Sequence, residues 1–99
     1  PVRASAYAAQ LVQGMPISPP PGIALGEVAA ALRESADLPA LREIARTSSD
    51  EDQRLAAGFA LALLHDHVAS EVARTDPFPS IRHRVGGALE LAGAPPDTT

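Results

Sequence analysis

The sequence predicts an all-α domain built of stacked helix pairs, and three observations lead to this prediction. Segments recur in register 28 residues apart, so that Ala45-Arg46-Thr47 matches Ala73-Arg74-Thr75 and Arg54 matches Arg82. Alanine and leucine supply most of the apolar content, and alanine is the strongest helix former. Apolar residues also recur at helical spacing along the chain. A fixed period of this length is typical of helical hairpins that bury their apolar faces against one another.

The first pair is predicted to consist of two helices joined by a rigid loop. The first helix runs from about Val2 to Gln13, and Gly14 is expected to cap its C-terminus. The loop over residues 15–22 contains four prolines, which remove backbone donors and disfavour a helical predecessor. The second helix runs from about Ile23 to Ala36, because apolar residues recur there every three or four positions.

The second pair begins with clear start signals. Asp37 is a predicted N-cap, and Pro39 suits the first turn of a short helix from Leu38 to Arg46. The next helix, from about Asp50 to Leu64, opens with acidic residues that favour the positive end of the helix dipole. It is apolar nearly all round, which predicts an inner helix held between neighbours.

The third pair follows the same plan. Asp66 is predicted to cap a helix from about His67 to Arg74. Asp76 is predicted to cap the last helix, with Pro77 at its first position and Gly93 ending it.

One segment resembles a known repeat. Asp76-Pro77-Phe78-Pro79-Ser80-Ile81-Arg82, followed by a small and apolar helix that ends at Gly93, resembles the HEAT repeat. The closest variety is the short bacterial, phycobilisome-lyase type, with the pattern Asp-Pro-x-x-x-Val-Arg. The segment from Ser48 to Arg54 fits in part, and the first pair fits only in its helical pattern.

The resemblance implies a right-handed α-α superhelix of about three antiparallel helix pairs. It divides the chain into a single domain with an atypical first repeat, two regular repeats and a flexible tail, namely residues 1–94 with repeats at 1–36, 37–64 and 65–93, and a tail at 95–99. An end unit often looks atypical because one of its faces has no neighbour. A compact, death-fold-like bundle of six helices is the alternative, and contacts between the first and last helices would distinguish the two.

Composition narrows the function classes. The formal charge of −4 argues against a nucleic-acid surface, which needs a basic patch for phosphates. No cysteine is present, so thiolate chemistry and disulfides are excluded. The longest apolar run is half of what a bilayer span requires, and no signal peptide is evident. Because every basic residue is arginine, we expect a cytoplasmic protein from a GC-rich bacterial genome.

Two arginines at equivalent repeat positions are candidate functional residues. Arg54 and Arg82 either line a surface for an acidic ligand or form an internal ladder. In a ladder, each guanidinium bonds a loop carboxylate or carbonyl of an adjacent unit, with Asp50 or Asp76 as the acceptor. Arg82 also belongs to a basic cluster on the last helix, which continues with His83 and Arg84 and is either solvated surface or a partner site.

The histidine pair His65 and His67 flanks Asp66. These histidines suit a polar turn between units, or a metal site if His83 or Glu71 converged with them, because zinc requires further ligands. No catalytic constellation, cofactor or metal is predicted. The glycine pair at 86–87 is expected to allow close helix packing.

The sequence thus predicts a non-enzymatic protein–protein interaction or scaffold module. The expected interaction surface draws on the arginines and histidines named above, which are Arg54, Arg82, His83, Arg84, His65 and His67. The alternative is a regulatory or substrate-positioning appendage of an enzyme, or a small-ligand binder, using a pocket with His65, His67 and Arg54.

Overall fold

Six α-helices form the structure, and no strand occurs within the described range. The computed structural model describes residues 2–93, so the predicted flexible tail lies outside the described residues. The all-α prediction is confirmed. The helices are α1 (Val2–Val12), α2 (Leu25–Ser35), α3 (Leu38–Thr47), α4 (Glu51–Leu63), α5 (His67–Thr75) and α6 (Pro79–Leu91).

Three predicted aspartate caps are confirmed. Asp37 accepts a hydrogen bond from the Ala40 amide at the start of α3. Asp50 accepts from two amides at the start of α4, and Asp66 accepts from the Val68 amide at the start of α5. Each cap satisfies amides that have no partner within the first turn of a helix.

The start of α6 differs from the prediction. The helix begins at Pro79, its N-cap is Phe78, and no side chain caps it. Asp76 is not the N-cap, because its carboxylate accepts from the Phe78 amide and from Arg54. Pro79 takes the first helical position instead of Pro77, where its missing amide costs nothing.

Left-handed residues end three of the helices. Gly14 and Gly93 have φ angles of 87° and 71°, as their predicted roles at helix C-termini require. His65, which stands where the repeat places a glycine, has a φ of 55° and is the non-glycine residue with positive φ in the described range. The Asp66 amide then donates to the Leu61 carbonyl, which closes the Schellman motif at the end of α4.

The helices pack as three antiparallel pairs, α1 with α2, α3 with α4, and α5 with α6. Between the second and third pairs, α3 contacts α5 and α4 contacts both α5 and α6. The first pair joins differently, because both α1 and α2 pack against α4. Within residues 2–93, α1 does not pack extensively against α6. The contacts thus run along the series of pairs, and α4 is the helix that the other pairs share.

The inner position of α4 follows from its sequence. Every residue from Arg54 to Leu63 is buried, as the apolar character on all sides of this helix predicts. Gly58 sets its distance from α6, because a Cβ added there would lie 2.7 Å from Val85 Cγ2. The expectation for Gly86 and Gly87 is wrong, since a Cβ at either position meets no atom within 4 Å.

None of the helices in the part of the chain that the structure describes is long and apolar enough to cross a bilayer.

Candidate interaction groove

A tyrosine on α1 fixes the proline-rich loop beside the helices. The Tyr7 hydroxyl donates a 2.6 Å hydrogen bond to the Ile17 carbonyl, and burial raises the pKa of Tyr7 to about 12. The phenol therefore stays a neutral donor at physiological pH. Arg3 on the same helix donates to the Pro21 carbonyl. Because proline removes backbone donors, the loop relies on these side chains to hold its free carbonyls.

A groove lies between this loop and α6, with α4 as its floor. It has a volume of about 510 Å³. Apolar and aromatic side chains dominate its lining, and no carboxylate is among the lining residues. The lining consists of Tyr7, Ser18, Pro19, Pro20, Ile23, Leu25, Phe59, Leu63, His83, Arg84, Gly87, Ala88 and Leu91. At one end Leu91 is 63% exposed, which is unusual for so large an apolar side chain beside a cavity.

The basic residues of the groove lie on its α6 side. Arg84 and His83 were predicted as interaction residues, and the structure places both in the lining. The Arg84 guanidinium stands over the Phe59 ring at 5.6 Å from the centroid. Its Nη2 also reaches the Pro16 carbonyl at 3.5 Å, across the mouth of the groove. A permanent positive charge therefore lies beside an apolar, aromatic floor.

Arg54 is not a surface residue, which corrects its place in the predicted interaction surface. Its side chain is 9% exposed, and its Nη2 donates to Asp76 Oδ2 at 2.6 Å. Its Nη1 donates to the carbonyls of Arg46 and Ser48, and its Nε is buried without a partner. These bonds are those of the internal ladder, in which the guanidinium binds a loop carboxylate of the next unit.

Arg82 makes a different contact from its repeat equivalent. Its Nη1 donates a 2.6 Å hydrogen bond to the Asp76 carbonyl, within its own helix pair. Arg82 is half-buried and does not line the groove. The structure therefore separates the predicted basic cluster, with Arg84 and His83 on the groove and Arg82 on a neighbouring face of α6.

The two remaining histidines lie away from the groove. His65 Nε2 donates to the Ala92 carbonyl at 2.9 Å and so ties the end of α4 to the end of α6. His67 is exposed in the first turn of α5, with Nδ1 4.0 Å from Asp66 Oδ2. Within residues 2–93, no group of three or more histidine, cysteine, aspartate or glutamate side chains is arranged to hold a metal ion.

Two further ion pairs join the second and third helix pairs. Arg42 binds Asp66 through Nε and Nη2, and Arg46 binds Glu71 in the same two-pronged way. Burial raises the pKa of the Asp66 carboxyl, but the bonds from Arg42 and the Val68 amide outweigh it and the net pKa is lowered. The hydrogen bond from Arg46 lowers the pKa of Glu71.

Sequence reasoning missed most of the groove. Phe59 and Tyr7 are two of the three aromatic residues in the chain, which is a signal that could have marked them. Nothing in the helical pattern separates Leu63 or Leu91 from core residues, because both fall on apolar stripes of their helices.

Comparison of the chain with protein-family models, with curated proteins and with solved structures found no match.

Proposed function

We propose that this domain is a non-enzymatic protein interaction module that binds an apolar segment of a partner protein in the groove between the proline-rich loop and α6. The observation that carries this proposal is an open apolar groove on a rigid helical framework. Apolar and aromatic side chains held in place before binding are the usual anchors of such sites.

The groove favours a segment that carries a carboxylate. Arg84 supplies the fixed positive charge at the rim, and the lining contributes no acidic group to oppose an acidic ligand. Opposite charge across an interface steers association and sets the register of the bound segment. The partner segment is therefore apolar on the side that meets Phe59 and Leu63, with a carboxylate that meets Arg84. The proposed setting is the cytoplasm of a bacterium.

A binder of small molecules is the second candidate, because pockets for small ligands commonly have volumes of about 300–1,000 Å³ and this groove falls within that range. An enzyme that carries this domain as an appendage would use the same groove for a substrate. The lining offers few polar groups to orient a small ligand, which is why the peptide is preferred.

Two adjacent glycines allow a controlled experiment. Gly87 lines the groove and Gly86 does not, while a Cβ at either position meets no atom within 4 Å. A random peptide library displayed on phage is selected on the full chain, and the enriched peptides are then tested on Gly87→Leu and Gly86→Leu.

The expected result is enrichment of apolar peptides that contain aspartate or glutamate, with binding lost in Gly87→Leu and kept in Gly86→Leu. Equal binding to both variants would place the interaction outside the groove and contradict the proposal. No enriched peptide, together with stabilisation of the chain by small apolar carboxylates, would support the second candidate instead.

A further inference from the structure

We infer that a second surface, the face of α6 that carries Arg82 and Gly86, is a seat for a further helix pair with a carboxylate in its inter-helix loop. This seat is separate from the groove, because Gly87 lines the groove and Arg82 and Gly86 do not. The inference rests on how the second helix pair of this chain receives the third.

Two features of α4 hold the third pair. Gly58 leaves room for Val85, whose Cγ2 would lie only 2.7 Å from a Cβ at position 58. One turn earlier, Arg54 binds the carboxylate of Asp76, which lies in the loop between α5 and α6. The third pair thus brings one branched apolar residue and one loop carboxylate to a glycine and an arginine spaced four residues apart.

The same two features recur on α6 in register. Arg82 and Gly86 follow Arg54 and Gly58 by 28 residues and keep the spacing of four. Gly86 faces open space. Among the described residues, Arg82 makes one hydrogen bond, to a backbone carbonyl, and no ion pair. The surface of α6 therefore repeats the form of an interface that this chain already makes, with the arginine available to a carboxylate.

A second copy of this chain does not supply the matching surface. Its third pair is already seated on its own α4. Its first pair has no aspartate or glutamate in the loop over residues 13–24, so that loop cannot offer Arg82 the acceptor that Asp76 offers Arg54. The occupant is thus a helix pair of another protein segment, with an acidic inter-helix loop and a branched apolar residue opposite Gly86.

An extended chain tests the seat with a probe of known fit. A copy of residues 66–93 is joined directly after Gly93, in place of residues 94–99, so that the added helix pair brings its own equivalents of Asp76 and Val85. The expected helical signal in circular dichroism grows by the 9 and 13 residues of α5 and α6. The urea midpoint also rises above that of the unmodified chain.

A glycine substitution should then change sign between the two chains. Gly86→Ala raises the urea midpoint of the unmodified chain, because alanine favours a helix over glycine. In the extended chain it lowers the midpoint, since the new Cβ meets the added valine as a Cβ at Gly58 would meet Val85. Gly87→Ala is the matched control and raises the midpoint of both chains.

Three outcomes would overturn the inference. The added segment could contribute no helical signal, or Gly86→Ala could raise the midpoint of the extended chain as it does that of the unmodified one. A concentration-dependent dimer of the unmodified chain that Gly86→Leu abolishes would show that a second copy occupies this face. None of these results depends on peptide binding in the groove.

Discussion

The buried ion pair between Arg54 and Asp76 gives the most direct stability prediction. Arg54→Met keeps most of the side-chain volume but leaves Asp76, whose side chain is 1% exposed, without its positive partner. The carbonyls of Arg46 and Ser48 lose the donor that they share. Removing one partner of a buried ion pair costs about 3–5 kcal/mol.

This loss is large against the stability of the whole domain. A chain of 99 residues is expected to have a free energy of unfolding of about 5–15 kcal/mol. Urea unfolding followed by circular dichroism should therefore show a much lower midpoint for Arg54→Met. Arg82→Met is the matched control, because Arg82 contributes one bond to a carbonyl and its loss should cost about 1 kcal/mol.

A double-mutant cycle isolates the pair itself. Asp76→Asn keeps an oxygen that can accept from the Phe78 amide but removes the negative charge. In the double variant with Arg54→Met, no unpaired buried charge remains, so its destabilisation should be clearly smaller than the sum of the single effects. Additive effects, or an Arg54→Met variant as stable as Arg82→Met, would refute the reasoning.

Three further predictions follow from the helix contacts, the helix ends and the ion pairs. Gly58→Ala should destabilise the domain because its Cβ lies 2.7 Å from a side chain of α6, whereas Gly87→Ala should stabilise it by about 1 kcal/mol; equal effects in urea unfolding would contradict this. His65→Ala should be less stable than His65→Gly by about 1 kcal/mol, because position 65 has a φ of 55° that alanine adopts at a cost; equal urea midpoints would remove the strain argument. Since the folded-state pKa values of Asp66 and Glu71 are lowered, their stabilisation is complete above the unfolded values of 3.8 and 4.5 and is lost as pH falls through the folded ones; acid titration of Asp66→Asn should show a weaker loss of stability below about pH 4, and an unchanged acid profile would exclude Asp66 as a contributor.

Local rules of helix capping explain why most helices were predicted with accurate bounds. Asp37, Asp50 and Asp66 each precede a helix and cap it, so the sequence signal and the structure agree. Asp76 carries the same signal but serves a neighbour instead, because a buried guanidinium outcompetes a backbone amide for its carboxylate. That competition depends on tertiary contact and is not visible in the local sequence.

The repeat predicted the contacts between the second and third pairs better than those of the first. Arg54 and Gly58 recur at Arg82 and Gly86, and the ladder reading of Arg54 follows from that register. The first pair has Gly26 near the position of the repeated arginine, so no ladder fixes it and both of its helices pack against α4. The groove results from this irregular placement, which is why periodicity alone could not reveal it.

A titration of the isotope-labelled chain with an acidic, apolar peptide, followed by nuclear magnetic resonance, tests the account most directly. We predict shift changes centred on Phe59, Leu63, Arg84 and Leu91, the residues that form the floor and the α6 side of the groove. Changes confined to the far side, along α3 and the exposed surface of α5, would contradict the assignment of the groove as the binding surface.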